Sequence, residues 1–224
     1  MEKQQRYPVI FNPKARSQKG SRVLRFLMNH ANRFAVFATN RAGEAGDLAA
    51  RFAIEGEPVV IAAGGDGTLN EVVSGLAGSA TLLGILPAGT MNVFAREMGI
   101  PCNSLDKAFQ VIERGFVQEV DLFEANGSAF VQMAGVGFDA RVIEGTTWES
   151  KKKLGPLAYL LAGMKLLGES PPKLEVICAD GQRAEGVAIL AGNGSLYGGQ
   201  FKVFRKAHNN DSRLDVLVYK EAGY

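Results

Sequence analysis

The sequence predicts an α/β protein, with a doubly wound parallel sheet in its first half and a mainly antiparallel domain in its second half. In the first half, short apolar runs alternate with segments of helical periodicity. The runs PVVIAA and LLGILP are apolar throughout, as expected of strands buried on both faces of a parallel sheet. After Gly115, Asn-Gly and Asp-Gly dipeptides separate apolar runs, and such dipeptides are typical of hairpin turns.

Four strand-helix pairs and one further helix follow from this alternation. The last helix has Ser104 as its N-cap and Gly115 as its stop. The predicted strands are Tyr7–Phe11, Phe34–Ala38, Pro58–Ala62 and Leu82–Leu86, and the predicted helices are Ser21–Ala31, Gly43–Ile54, Thr68–Leu76, Thr90–Met98 and Ser104–Arg114. The second half has predicted hairpins at Asn126-Gly127 and Asp180-Gly181, with a helix at Leu154–Leu167 between them. We expect two domains, residues 1–115 and 116–224.

Composition narrows the function classes. With 25 Lys and Arg against 23 Asp and Glu, the net charge of +2 excludes a nucleic-acid-binding protein that works through bulk charge. Cys102 and Cys178 form neither a disulfide framework nor a CxxC pair. The chain shows no signal peptide and no run of about 18 apolar residues, so we expect a cytoplasmic protein.

The most informative segment, AAGGDGTLNE, leaves a buried strand and enters a helix. Its glycines allow a tight turn that offers backbone N–H groups to an anion, and the helix adds its positive N-terminus. The segment therefore predicts a phosphate cradle. Asp66 would repel phosphates unless a cation lay between them, which implies Mg²⁺. Thr68 and Glu71 also match a T-x-x-E capping box, so a purely structural role for them stays open.

Two further strand-to-helix turns are expected at the same crevice. The segment LPAGTMN precedes a helix, with Thr90 as its expected N-cap. The turn after the first strand carries Lys14, Arg16 and Lys19, which suit a polyphosphate, although such cations are as often simply solvated. Together the three turns favour a nucleoside triphosphate.

Other templates do not match. The chain lacks GxxxxGK[ST], and Asn70 replaces the last glycine of a dinucleotide fingerprint at the first turn. The segment Gly135–Ala140 matches GxGxxA, but it follows a hairpin instead of opening a βαβ unit. The chain has only two histidines, His30 and His208, so a mechanism based on histidine acid–base catalysis is disfavoured.

The motifs GGDGTLNEVVSGL, LPAGTMNVFARE, NPKARSQKG, AGVGFDARV and YGGQFKVF occur in an order that resembles the diacylglycerol kinase catalytic family. That family includes sphingosine kinases and bacterial lipid kinases, while NAD kinases and phosphofructokinases use similar glycine loops. The resemblance implies a Rossmann-like N-terminal domain, a C-terminal β-sandwich, ATP in the cleft between them, and a lipid entering from the second domain.

Site residues are assigned from this resemblance and the turns together. The expected catalytic residues are Asp66 and Asp121. The expected nucleotide contacts are Asn12, Lys14, Thr39, Gly64, Gly65, Gly67, Thr68, Glu71, Gly89, Thr90 and Asn92. The expected metal ligands are Asp66 and Asp121, with His208, Asp211 and Leu214 in a second, structural magnesium loop.

The chain departs from the family pattern at two places. Val93 stands where the family usually has an aspartate of the metal network. Family members also continue past LDVLVY to an Asp-Gly-Glu segment whose glutamate is regarded as the base, whereas this sequence ends at Tyr224. We expect either a fragment or a protein without that base, whose loss typically costs about 10²–10⁴ in rate.

Membrane contact and self-association are further expectations. Lys151–Lys153 and the helix Leu154–Leu167 suit either an anionic membrane surface or a sandwich cover with a solvated loop. The apolar strand Leu214–Tyr219 would invite pairing with another chain if it lay at a sheet edge, which suggests a homodimer.

The favoured function is an ATP- and Mg²⁺-dependent lipid kinase that phosphorylates a lipid hydroxyl, such as that of diacylglycerol. Three alternatives remain open from the sequence: an NAD kinase or other small-molecule kinase, a nucleotide-binding protein without activity, and a membrane-associating interaction module.

Overall fold

The computed structural model describes residues 6–13, 18–137 and 173–220. Its strands are β1 (Tyr7–Phe11), β2 (Phe34–Ala38), β3 (Val59–Gly64), β4 (Leu82–Pro87), β5 (Phe123–Ala125), β6 (Ser128–Phe130), β7 (Met133–Gly137), β8 (Leu174–Ile177), β9 (Arg183–Gly186), β10 (Ala188–Gly192), β11 (Leu196–Tyr197), β12 (Phe201–Lys202) and β13 (Asp215–Tyr219). Its helices are α1 (Gln18–Asn29), α2 (Glu44–Ile54), α3 (Asp66–Leu76), α4 (Val93–Glu97) and α5 (Leu105–Arg114).

The first four strands form a parallel sheet in the order β2-β1-β3-β4. Side chains alternate between its faces, since Ile61 and Ala63 pack with α1 and α5, whereas Val60 and Ala62 pack with α2, α3 and α4. Because both faces carry helices, β3 buries almost every side chain, and this explains its continuous apolar run. The predicted doubly wound α/β architecture is confirmed.

Most predicted elements of the first half are confirmed, and the largest differences lie at helix starts, with shifts of one or two residues at other ends. Helix α5 begins after Ser104, whose Oγ accepts the Lys107 N–H at 3.3 Å, and ends at Gly115 with φ of 67°. Helix α1 begins at Gln18, three residues before the predicted start. Helix α4 begins at Val93 and has 5 residues, so the predicted helix from Thr90 to Met98 is wrong at its start.

Two hairpins form where turn dipeptides predicted them. Asn126 and Gly127 both have positive φ, 50° and 78°, as the type I′ turn between β5 and β6 requires. Between β8 and β9, the turn places Gly181 at φ of 85°, and the Gly181 N–H donates to the Cys178 carbonyl at 2.9 Å. A left-handed glycine at this point is typical of a three-residue hairpin connection.

The chain divides into two compact units. The first holds residues 1–132 and 194–212, and the second holds residues 133–193 and 213–224. In the second unit, β10 pairs antiparallel with both β7 and β13, and β8 pairs with β9. These antiparallel sheets agree with the fold class expected after the first half, whereas the predicted domain boundary between residues 115 and 116 stays a prediction.

The structure bears only partly on the expectations of membrane contact and of self-association. The helix Leu154–Leu167 and the lysines Lys151–Lys153 lie outside the described residues. In the part of the chain that is described, every helix is too short or too polar to cross a bilayer. Strand β13 pairs only with β10 there, which places it at a sheet edge.

The crossing of α2 and α3 provides a stability test at Gly75. A Cβ at this position would lie 2.8 Å from the Ala49 Cβ and would overlap the Gly46 carbonyl oxygen. We expect Gly75→Ala to lower the free energy of unfolding by about 1–2 kcal/mol, because overpacking outweighs the better helix propensity of alanine. Urea denaturation measures the change, and the exposed neighbour Ser74→Ala should stay within about 0.5 kcal/mol. A Gly75→Ala protein as stable as the parent would contradict the close helix crossing.

Candidate nucleotide site

The crevice of the parallel sheet lies between β1 and β3, where the strand order reverses direction. Open α/β sheets bind ligands outside the carboxyl ends of their strands at such a point. Asn12 follows β1, and its Nδ2 donates to Thr68 Oγ1 of α3 at 3.3 Å. Thr39 follows β2, is buried, and donates its backbone N–H to the Phe11 carbonyl at 2.9 Å. The structure thus brings Asn12, Thr39 and Thr68, three of the predicted nucleotide residues, to the carboxyl end of the sheet.

The turn between β3 and α3 is built on glycines that admit close contacts. A Cβ at Gly64 would lie 2.6 Å from the Thr68 Cβ, so the threonine side chain folds over a bare backbone. Gly65 is the N-cap of α3, and no side chain caps the helix. A Cβ at Gly67 would meet nothing within 4 Å. The first turn of α3 therefore presents its N–H groups and positive dipole end at an open position, as an anion site requires.

The predicted capping box is wrong. Helix α3 begins at Asp66, so Thr68 is already inside its first turn. The Glu71 carboxylate instead accepts the Ala45 N–H at 3.2 Å, near the start of α2. Glu71 therefore stabilises the positive N-terminus of a neighbouring helix, and a role for it in nucleotide binding stays a prediction.

The second glycine turn, between β4 and α4, lies directly against the first. A Cβ at Gly89 would stand 2.5 Å from the Gly65 Cα and 2.7 Å from Asn92 Oδ1. The buried Asn92 side chain accepts the Gly89 N–H at 2.8 Å and donates to the Gly89 carbonyl at 3.0 Å. Asn92, with φ of 49°, is the residue before α4, so the prediction of Thr90 as N-cap is wrong.

Asp66 joins these two turns. Its Oδ1 accepts the Val93 N–H at 2.7 Å, which connects the start of α3 to the start of α4. The contact uses the backbone of Val93, so the missing acidic side chain at that position does not prevent it. Among the described residues, no group donates a hydrogen bond to the other carboxylate oxygen of Asp66. That oxygen is the one that suits a divalent cation, since hard cations prefer carboxylate ligands.

Asp121 contacts a loop of the first unit that follows β12. Its Oδ2 accepts the Ser212 N–H at 2.6 Å, and its own N–H donates to the Asn209 carbonyl at 2.7 Å. Asp121 is thus held by the loop that contains His208 and Asp211, a contact that the sequence did not predict, whereas Leu214 belongs to the second unit. Within residues 6–13, 18–137 and 173–220, no three His, Cys, Asp or Glu side chains gather closely enough to hold a metal ion. The full ligand set for magnesium stays a prediction.

Glu97, the last residue of α4, was not found by the sequence analysis. Its carboxylate accepts hydrogen bonds from Ser195 Oγ at 2.8 Å, from the Leu196 N–H at 2.7 Å and from Gln132 Nε2 at 3.1 Å. Burial by itself raises the pKa of Glu97, but these bonds and the Ser195 backbone N–H outweigh it, so the pKa lies below its ordinary value. Ser195 is 98 residues away along the chain, so no local pattern indicates the contact.

The side chain of Asn70 makes a second contact that local sequence patterns do not indicate. Its Nδ2 donates to the Ala129 carbonyl at 2.8 Å, which joins α3 to β6.

Two other sequence predictions have plain outcomes. Gly135 lies in an antiparallel strand, so the dinucleotide template does not apply there. Lys14 and Arg16 lie outside the described residues.

Comparisons with known proteins point to one family. The family model for the diacylglycerol kinase catalytic domain matches residues 6–125. A diacylglycerol kinase of Bacillus subtilis (strain 168) is 36% identical over 189 residues, which cover 83% of this chain and 62% of the relative. The diacylglycerol kinase of Staphylococcus carnosus (strain TM300) is 31% identical and covers 96% of this chain and 72% of the relative.

Solved structures agree as well. A crystal structure of a diacylglycerol kinase from Bacillus anthracis str. Sterne superposes with a TM-score of 0.75 at 29% identity, covering 97% of this chain and 74% of that one. The chain spans about three fifths of the length of the Bacillus subtilis relative.

The glycine contact predicts different outcomes for two substitutions. Gly89→Ala should lower the free energy of unfolding by roughly 1–3 kcal/mol, because its Cβ would overlap Gly65 and Asn92. Gly67→Ala should stay within about 0.5 kcal/mol, since its Cβ would point into open space. Chemical denaturation of both variants measures this, and equal stability of the two would contradict the close approach of the turns.

Glu97 predicts a pH dependence of stability. Its pKa is lowered on folding, so its contribution is complete above the ordinary value of 4.5 and is lost as the pH falls through the lower folded value. We expect the parent protein to lose stability between about pH 5 and pH 3 more steeply than Glu97→Gln. Urea midpoints measured across this range provide the check, and parallel curves would mean that the carboxylate is not held in its ionised form.

Proposed function

This chain belongs to the diacylglycerol kinase catalytic domain family, and from that membership we propose that it is an ATP- and Mg²⁺-dependent lipid kinase. It transfers the γ-phosphoryl group of ATP to the hydroxyl of a diacylglycerol-like lipid. The observation that carries the proposal is the contact of Gly65 with Gly89, which sets two bare turns side by side at the carboxyl ends of β3 and β4, next to the reversal point of the sheet. Such a surface admits a polyphosphate that side chains would exclude.

The triphosphate would lie against the first turn of α3 and the second glycine turn. Gly64, Gly65, Gly67 and Gly89 leave room for the phosphates, and the N-terminus of α3 attracts their charge. Asn12, Thr39, Thr68, Thr90 and Asn92 would shape or contact the nucleotide, and the turn with Lys14 would add positive charge. Most of the catalytic effect would then come from positioning and charge neutralisation, as is usual in phosphoryl transfer.

The residues at the turn fit a magnesium ion. The half-buried Asp66 has one oxygen bonded to the backbone and a second oxygen to which no described residue donates. Magnesium, when bound, would neutralise the charge that develops on the transferred phosphoryl group. Asp66 would hold it directly, and Asp121 would belong to the same magnesium network. A second magnesium would be held in the loop of His208 and Asp211.

The acceptor would be a lipid hydroxyl at a membrane surface, as fits the family. A homodimer would pair at the edge that β13 forms in the described part of the chain. A labelled-ATP assay tests the acceptor with diacylglycerol in vesicles, with NAD and with free sugars as alternatives. Transfer to diacylglycerol alone supports the lipid kinase, and transfer to NAD would replace it by a small-molecule kinase. Nucleotide binding without any transfer would indicate a catalytically impaired binding protein.

Asp66→Asn provides the sharpest test of the metal. An asparagine oxygen can still accept the Val93 N–H, so the two turns should stay together while the charge is lost. We expect a roughly 10- to 100-fold weaker affinity for Mg·ATP, as a contact to a charged group contributes about 1.5–3 kcal/mol. Calorimetry with Mg²⁺ and with EDTA measures it.

The matched control is Asp106→Asn, an exposed aspartate in the first turn of α5. Its affinity for Mg·ATP should equal that of the parent. Equal affinity of the parent protein for ATP in Mg²⁺ and in EDTA would overturn the role given to Asp66.

A further inference from the structure

The segment that follows residue 193 can approach α4 only because it begins with a glycine. A Cβ at Gly194 would lie 2.9 Å from the Glu97 Cδ and 2.6 Å from Gln132 Nε2. The next two residues then bond to the Glu97 carboxylate through one hydroxyl and through the backbone. These hydrogen bonds therefore fix the chain to α4 at the start of the β11–β12 hairpin.

Residues 194 and 195 lead into the β11–β12 hairpin, in which Leu196 pairs with Lys202 and Tyr197 with Phe201. The hairpin tip reaches the second glycine turn. A Cβ at Gly199, whose φ is 114°, would lie 3.5 Å from the sulfur of Met91. Met91 directly follows Thr90, so the tip is near a side chain of the turn that the proposed function gives to the nucleotide.

Helix α4 connects the two places. At its start, the Val93 N–H donates to Asp66, and at its end Glu97 holds the hairpin. The helix has 5 residues and spans about 7 Å, too short to bend appreciably. Two carboxylates at opposite ends of one short helix therefore determine where the hairpin stands relative to the phosphate cradle.

We propose that Glu97 is a positioning residue for the nucleotide, because it holds the β11–β12 hairpin against the second glycine turn as a wall of the nucleotide site. The proposal rests on the proposed nucleotide site. An ionised carboxylate suits the task, since three donors converge on it and a carboxylate only accepts hydrogen bonds. A glutamine offers one acceptor oxygen and two N–H donors, so it would leave part of this set unsatisfied.

The test compares Glu97→Gln, Glu97→Ala and Ser195→Ala with a control, Glu113→Gln, whose partner is Arg33 on the surface. Each protein is titrated with Mg·ATP and assayed with diacylglycerol vesicles, and hydrogen exchange is followed in peptides covering residues 194–204. We expect Glu97→Gln to raise both the dissociation constant and the KM for ATP about tenfold, with kcat within threefold of the parent.

Exchange in residues 194–204 should rise in the same variant and stay unchanged in the control. Ser195→Ala, which removes one donor and leaves α4 intact, should shift affinity about two- to threefold and keeps the test decisive if Glu97→Ala fails to fold. Faster exchange with unchanged ATP affinity would overturn the inference, because the hairpin would then move without consequence for the nucleotide. Unchanged exchange would overturn it equally.

The two proposals fail in different ways. A parent protein that binds Mg·ATP but transfers no phosphate to any acceptor would overturn the lipid kinase and leave the role of Glu97 standing. A parent protein that phosphorylates diacylglycerol while Glu97→Gln matches its KM would overturn only the role of Glu97.

Discussion

The backbone contact between Gly65 and Gly89 is the constraint on which the rest of the site depends. These residues follow two adjacent strands of the sheet, β3 and β4, paired with Gly64 opposite Pro87. A side chain on either glycine would push the turns apart. With the turns in contact, Asn92 can bond to Gly89, and Asp66 can reach the start of α4.

The parallel sheet makes this contact rigid. Its central strands β1 and β3 are buried on both faces, and each face has its own cluster of packed side chains. Close-packed interiors transmit displacements instead of absorbing them, so the strand ends keep fixed distances from one another. The fixed strand ends therefore limit how far the two glycine turns can move apart. A site built from backbone needs such support, because bare turns have no side chains of their own to hold them in place.

Carboxylates connect segments of the first unit that are distant along the chain. Glu71 accepts the Ala45 N–H and Asp66 the Val93 N–H. Glu97 and Asp121 likewise accept backbone N–H groups, from Leu196 and Ser212. Bonds to charged groups are stronger than neutral ones, and solvent weakens them where the partners are exposed, as at Ser212. Acidic side chains of this unit thus connect loops through hydrogen bonds, and Asp66 does so with only one of its two oxygens among the described residues.

The sequence by itself determined the fold class, the order of strands and helices in the first half, and the hairpin at Asn126-Gly127. These features depend on local physics: the period of apolar residues, the N-cap at Ser104 and glycines with positive φ. The glycine turns after β3 and β4 were also predictable as turns of bare backbone, because glycine has the least hindered backbone, and their role as phosphate cradles stays a prediction.

The tertiary structure alone decided how the loops are joined. Local pattern placed Thr68 and Glu71 in one capping box, yet Glu71 found a donor on another helix. It also could not place Glu97 beside Ser195 or Asp121 beside Ser212. A side chain bonds to whichever group the packing brings near, and that group can lie about a hundred residues away. No short stretch of sequence contains both partners, so only the folded chain shows which acid meets which backbone.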